Sequence, residues 1–375
     1  MNSPRIRPDA GADRGEAAPV PSAKLGRSEN AGLSAFSGRP ASPWLFGRWF
    51  DLLFLANIAW PIVLLVQFSN GFVGRTGVQF WQVYFITTPH RWITLAIVFL
   101  DRDRFRAQRG WFLGIAAVVV AICTAVKVTT GTITCLLAID YVWNAWHFAS
   151  QHHGVYRIYS RMGGPGSPGM AIAEKVLLRG FLLYVIVRIA GGTLVNESME
   201  GTLMTADWAV LAVPALFLVR EAVTFERIRT GRAAYLVSVC ALYTSILWAV
   251  HTTRPALVLA LTTASALFHA VEYLAIVGWS VQKRYVDRSN LLGLLAWFAP
   301  RWGITLTLFV VILGSVGWMM DRQLLEVWLF INVIVAFLHY AYDGLIWRRG
   351  RTRSPSAPTA TAPDRAALPA GAGAA

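Results

Sequence analysis

Apolar residues fall in blocks of about 20, the length a helix needs to cross a hydrocarbon core, with short polar stretches between them. Ten blocks can be marked, at 49–68, 78–100, 111–127, 131–151, 176–195, 207–225, 233–250, 256–280, 302–320 and 324–347. The third and seventh are short and the ninth holds internal glycines, so a count of eight or nine stays open. The pattern predicts an all-α fold, a polytopic integral membrane bundle of about ten transmembrane helices spanning residues 47–349. Residues 1–46 are rich in Ala, Pro, Ser, Gly and Arg without apolar periodicity, and residues 350–375 are similar. Both are expected to be disordered tails. No apolar core follows Met1, so no cleavable signal peptide is expected, and neither tail carries a lipidation motif.

Composition agrees with the pattern. Hydrophobic residues make up 55% of the 375 and charged residues 14%, well under the roughly 25% of soluble domains. Sixteen tryptophans suit two membrane interfaces. The net charge of +14 does not point to nucleic acid, because the basic residues sit in short clusters between apolar blocks. Arg102, Arg104, Arg106 and Arg109 follow block two; Arg157, Arg161, Lys175 and Arg179 follow block four. Arg220, Arg227, Arg229 and Arg232 follow block six, Lys283, Arg284, Arg288 and Arg301 follow block eight, and Arg348 begins the last cluster. The alternate loops hold few cations, and that at 196–207 is acidic, with Glu197, Glu200 and Asp207. Cations stay on the cytoplasmic side, so both termini are expected there, as in a multi-pass protein of the inner (plasma) membrane. Cys123, Cys135 and Cys240 lie inside apolar blocks with no paired spacing, so neither a disulfide framework nor a cysteine zinc site is expected.

Histidine carries the chemistry. Six of the seven lie in or at the end of even-numbered blocks: His90, then His147, His152 and His153, then His269, then His339. Only His251 lies toward the outer side. Alternating crossings bring those six to similar depth on four helices. Ionisable groups at that depth are costly and face a bundle interior or cavity. Each has polar company: Asp140, Asn144, His147 and Gln151 recur at steps of four, three and four and make one stripe. Thr262, Ser265, His269, Glu272 and Tyr273 share or adjoin a face, as do Asn332, His339 and Asp343. Thr87, His90, Arg91 and Thr94 cluster around Pro89, which is expected to bend its helix.

Neutral imidazole is a frequent ligand of iron, zinc and copper. His90, His147, His152, His153, His269 and His339 are therefore the candidate metal ligands. Asp140, Glu272 and Asp343 are the candidate catalytic carboxylates, ligating directly or orienting ligand histidines. His152 and His153 stand about 140° and 240° from His147 on an ideal helix, so the three cannot share one face. Either that helix ends near Gly154 or His153 serves something else. The cations from 157 to 161 then lie at the membrane surface, as a solvated anchor or in contact with anionic headgroups.

The stretch His147-Phe-Ala-Ser-Gln-His152-His153 resembles the histidine boxes of integral-membrane desaturases and hydroxylases. That family gathers histidines at the cytoplasmic ends of helices and uses two non-haem irons and oxygen to oxidise unactivated C–H bonds. The resemblance covers seven residues; His90, His269 and His339 stand alone rather than in further boxes. It implies an iron-dependent membrane oxidoreductase, with a lipid or other hydrophobic substrate and a redox partner protein. Three other functions compete. A haem-bearing electron carrier would use axial histidine pairs. A proton-coupled transporter would relay protons through Asp140, His269, Glu272 and Asp343. An acyltransferase would use His147 or His339 as base.

The topology is open to a direct test. Reporter fusions placed after Arg109 and after Asn196 are expected to report opposite sides of the membrane. The same side for both would remove the alternation on which the orientation rests.

Overall fold

In the computed structural model, residues 42–69, 83–162, 167–191, 197–286 and 294–347 are described. Every regular element among them is a helix. α1 (Arg48–Leu55) and α2 (Trp60–Ser69) form a pair bent by 45°. Asn57 turns the chain between them at a φ of 44°, a region that Asn tolerates better than most residues. α3 (Val83–Leu100) opens with a π-helical turn at Val83–Thr87 and continues as a regular helix. The short α4 (Arg102–Ala107) is capped by Asp101, which accepts from the Arg104 backbone N–H at 3.3 Å. Then come α5 (Arg109–Thr130), α6 (Thr134–Met162), α7 (Pro168–Gly191), α8 (Glu197–Val223), α9 (Thr230–His251) and α10 (Pro255–Val286). A short α11 (Leu294–Phe298) precedes α12 (Trp302–Gln323) and α13 (Leu325–Ile346).

Seven of these segments are long and apolar enough to cross a membrane, or eight if the bent α1–α2 pair is one span. They are α3, α5, α8, α9, α10, α11 joined to α12, and α13. The other two apolar blocks are helical too, as α6 and α7, but carry too much polarity to meet that standard. α6 bears the stripe from Asp140 to Gln151, and α7 bears Glu174, Lys175, Arg179 and Arg188. Blocks three and seven, short in the sequence, are both helices of 22 residues.

Burial divides the helices by role. In α10, α9, α13 and α3, 61%, 56%, 50% and 44% of the span is buried; in α5 and α12 only 11%. The outer helices show Val, Ile and Leu to their surroundings, while the inner ones carry the polar stripes. A large apolar core built on α6, α7, α9 and α10 includes Tyr156, Phe181, Leu182, Tyr235, Leu236, Tyr243 and Phe268. The glycines of α12 do not break it. A Cβ at Gly314 would lie 2.5 Å from the Phe85 ring, and one at Gly317 would lie 2.6 Å from Trp328. Gly314 lets the α3 backbone come close, with the Tyr84 carbonyl 2.9 Å from where its Cβ would stand, and Gly317 makes room for the Trp328 ring of α13, as small residues do between membrane helices.

Three corrections to the sequence picture follow. The acidic stretch at 197–207 is the first turns of α8 rather than a loop. Asp207 is buried and joins Arg188 at 3.3 Å, Tyr184 at 2.7 Å and His251 at 3.0 Å, and Arg188 also meets Glu200 at 2.7 Å. α6 does not end near Gly154 but runs on to Met162. Residues 42–46, grouped with the N-terminal tail by composition, fold back onto buried Asp51, which accepts from Leu45 N at 2.6 Å, Phe46 N at 3.1 Å and Tyr159 OH at 2.9 Å. The rest of both tails lies outside the described residues.

The Asp207 network gives a test of packing. Asp207→Asn removes the charge that faces buried Arg188 and His251, and breaking a buried pair from one side costs about 3–5 kcal/mol. A clear fall in the thermal unfolding midpoint in detergent is expected. An unchanged midpoint would mean that the network adds nothing to stability.

Candidate metal centre

Four inner helices each deliver one imidazole to a common point. His90 comes from the first regular α-helical turn of α3, beside Pro89, just after the wide π-helical turn has ended at Thr87. Such turns are frequent at functional sites because they re-aim the residues that follow. His147 lies mid-way along α6, His269 mid-way along α10 and His339 in the last third of α13. All four are buried. Their ring centroids lie 5.2 Å apart for His90–His269 and for His90–His339, 4.9 Å for His147–His269 and 4.6 Å for His147–His339.

Two sets of ligand atoms within 4.8 Å of one another result: His90, His269 and His339, and His147, His339 and Asp343. His339 belongs to both. His147 Nε2 lies 3.0 Å from His339 Nε2 and 3.9 Å from Asp343 Oδ2.

The proton on His339 can be traced from its neighbours. Tyr273 OH donates to Asp343 Oδ1 at 2.5 Å, so the Tyr273 oxygen is left to accept from the Thr94 hydroxyl, 2.6 Å away. The Thr94 oxygen then accepts from His339 Nδ1 at 2.7 Å. That chain puts the hydrogen on Nδ1 and leaves the Nε2 lone pair facing His147 and the centre of the cluster. Thr94 and Tyr273 thus orient the imidazole that both sets share.

Other buried nitrogens have no such partner. His269 has neither ring nitrogen hydrogen-bonded, although its ring stacks on Phe148 at 3.8 Å, and His90 Nδ1 is also unsatisfied. The only polar bond near His269 is to its backbone, from Gln151 Nε2 at 2.9 Å, among the described residues. Buried polar atoms are nearly always satisfied, so an imidazole with two orphans calls for a water or an ion.

The remaining candidates sit around this point. His152 turns away from it toward α9, with Nδ1 at 2.9 Å from both Glu272 Oε2 and Tyr235 OH; Tyr235 OH also lies 3.1 Å from Glu272 Oε1. The His152 ring is nonetheless 6.2 Å from that of His269, so this group adjoins the cluster. His153 is in neither ligand set but lines the same cavity as His147. Asp140 is held by Tyr340 OH at 2.9 Å, and that hydroxyl lies 3.0 Å from Asn144 Oδ1; neither side chain is in a ligand set. Tyr235 and Tyr340 did not stand out in the sequence. Their signal is a phenol inside an apolar block, which needs a hydrogen-bond partner there.

A cavity touches the cluster on each side. One of about 330 Å³ reaches His90, Arg91 and Asn144 between Thr87 and Thr262. Another of about 640 Å³ reaches His147, Tyr273 and Asp343, and extends along α6 past Gly154 to Arg161. The cluster stands between them, open to both. Compared with known proteins, the chain matches no family model, no curated sequence and no solved structure.

Proposed function

We propose that the protein is an integral membrane metal-dependent oxidoreductase, with non-haem iron as its metal, acting on a lipid-like or other hydrophobic substrate. The observation that carries this reading is the His269 imidazole, buried with both nitrogens unpartnered beside His90 and His339. Such a ring in a low-dielectric interior is costly unless something ligates it. The donor sets fit a transition metal: imidazoles with at most one carboxylate suit iron, zinc or copper better than calcium or magnesium. Two nitrogens each about 2.1 Å from one ion and at right angles to it lie about 3 Å apart. That separation matches His147 and His339. A porphyrin does not fit between imidazoles whose centroids are only 4.6–5.2 Å apart, so non-haem iron is the form proposed.

Iron so held would supply oxidation of unactivated C–H bonds by oxygen, the chemistry of the enzymes that residues 147–153 resemble, with electrons from a redox partner protein. The chain's own residues do the rest. Thr94 and Tyr273 keep the proton of His339 on Nδ1. Asp343 balances positive charge beside His147. The larger cavity brings substrate to His147 and Asp343, and the aliphatic bundle excludes water. His152 and Glu272, one ring away, extend the donor set toward α9.

The topology that goes with this reading has ten crossings and cytoplasmic termini in the inner (plasma) membrane. The crossings are the α1–α2 pair, α3, α5 to α10, α12 and α13. The polar α6 and α7 can cross because His147, His152 and His153 of the one and Glu174 and Arg188 of the other are buried in protein.

Elemental analysis of purified protein is expected to find iron bound. His339→Ala, which touches both ligand sets, is expected to lose nearly all of it, and His90→Ala, which touches one set, to lose only part. Iron no higher in the wild type than in His339→Ala would overturn the proposal. Thr94→Val and Asp343→Asn keep every imidazole but disturb its orientation, and each is expected to weaken metal binding about 10-fold. Full metal content and activity in Asp343→Asn beside an inactive His339→Ala would remove Asp343 from the site.

A further inference from the structure

The cavity of about 640 Å³ has a chemical gradient along its length. Its volume falls within the range of about 300–1,000 Å³ usual for small-molecule sites. At one end are His147, Tyr273 and Asp343; its walls are Trp143, Trp146, Ile276, Trp279 and Trp347; at the other end are cations. α6 lines it along much of its length, from Trp143 and His147 past Ser150 and Gly154 to Arg157 and Arg161, so one helix joins its two ends. Arg157 stands ten residues beyond His147, about 15 Å along the helix.

The cationic end is lined by Arg157, Arg161 and Arg179. Arg157, Arg161, Lys175 and Arg179 all lie close enough to His153 to act on it electrostatically. Within reach of Arg157 is the Glu174 carboxylate, at 3.5 Å, but Glu174 is already engaged by Arg220 at 2.6 Å and by Tyr156 OH at 3.2 Å. Arg179 lies over the Trp146 ring, 5.3 Å from its centroid, and its Nε is buried with no hydrogen-bond partner. A guanidinium nitrogen is a donor only, so this orphan asks for an acceptor.

We propose that this cavity binds an amphiphile with an acidic head, a carboxylate or a phosphate, held by Arg157 and Arg179. Its hydrocarbon chain lies along the tryptophan wall and ends at His147 and Asp343. The assignment rests on the larger cavity being the substrate chamber of the proposed oxidoreductase, and it narrows that substrate from hydrophobic molecules to acidic ones. A neutral hydrophobe would leave two guanidinium groups facing an apolar ligand. An acid satisfies them with charge-assisted hydrogen bonds and fixes which carbon reaches the histidines.

The test uses the full chain in nanodiscs of phosphatidylcholine, stripped of metal by chelator, with quenching of cavity tryptophans as the readout. The probes are dibrominated stearic acid, its methyl ester and a dibrominated alkyl phosphate of the same chain. Wild-type protein is expected to bind either acid at least about 10-fold more tightly than the ester. The tighter of the two acids then distinguishes a fatty acid from a phosphate-headed lipid. The pair Arg157→Gln and Arg179→Gln is expected to bring the acids down to the ester's affinity, whereas Arg157→Lys with Arg179→Lys keeps the preference. Gly154 lines the cavity with open space where a Cβ would stand, so Gly154→Leu is expected to obstruct acid and ester alike.

Equal affinity for acid and ester in the wild type overturns the proposal. So does an acid preference that survives the glutamine pair, or acid binding that ignores Gly154→Leu, which marks attraction to the surface alone. Loss of ester binding in the glutamine pair marks a damaged fold, and the lysine pair then decides: preference kept upholds the assignment, preference lost overturns it. Because the protein is metal-free throughout, failure of the metal reading leaves this result standing, and the converse also holds.

Discussion

A polar group placed where water cannot reach it must find its partner inside the protein. That constraint arranges nearly everything in this bundle. It turns the polar faces of α3, α6, α10 and α13 toward one another and leaves α5 and α12 to present aliphatic side chains outward. It also folds residues 42–46 onto Asp51, since a carboxylate with no solvent exposure has to be covered by donors. The buried pair Arg232 and Glu221, joined at 2.7 Å, obeys the same rule between α8 and α9.

Set against that rule, two buried polar clusters differ in kind. Around Asp207, Tyr184, Arg188 and His251 all point at one carboxylate, and Glu200 takes up the outer side of the guanidinium. Charges and donors there match, as in a group whose task is cohesion. The imidazole cluster is not closed in this way. His339 is tied on one side by Thr94, while His269 and one nitrogen of His90 are left without partners. Packing alone gives no reason to gather four imidazoles and leave some unsatisfied, because four leucines would pack at lower cost.

The helical class and the faces were legible because they are periodic. The stripe Asp140, Asn144, His147 and Gln151 does lie on one side of α6, with Tyr340 against its first half, His339 against His147 and the His269 carbonyl against Gln151. The divergence of His152 from His147 was legible for the same reason: at 100° per residue they cannot point together, and His152 meets Tyr235 and Glu272 while His147 meets His339. Which faces meet was not legible. Nothing along the chain pairs His152 with Tyr235, 83 residues away, or Tyr273 with Asp343, 70 residues away. Asp207 misled because an acidic residue beside Glu200 looks like an exposed loop until Arg188, on another helix, is seen opposite. The span count differs because α6 and α7 carry polar and charged residues, among them His147, His152, Glu174 and Arg188, which lower their mean apolarity although these four are buried.

The close approach at Gly314 links chemistry to a helix that contributes no chemical residue. α12 is almost entirely outward-facing, yet Gly314 lies beneath Phe85 and the Tyr84 carbonyl, which belong to the wide turn that ends at Thr87, three residues before His90. The pitch of that turn, and so the bearing of the His90 imidazole, is therefore set in part by how near α12 is allowed to come. A methyl group there has no open space to occupy, so the turn or α12 must shift. Sequence drift on this outward-facing helix is thus not neutral with respect to the imidazole cluster: Gly314, whose side chain is a single hydrogen atom, acts as a gauge block for the His90 ring, five residues beyond the phenyl ring it touches.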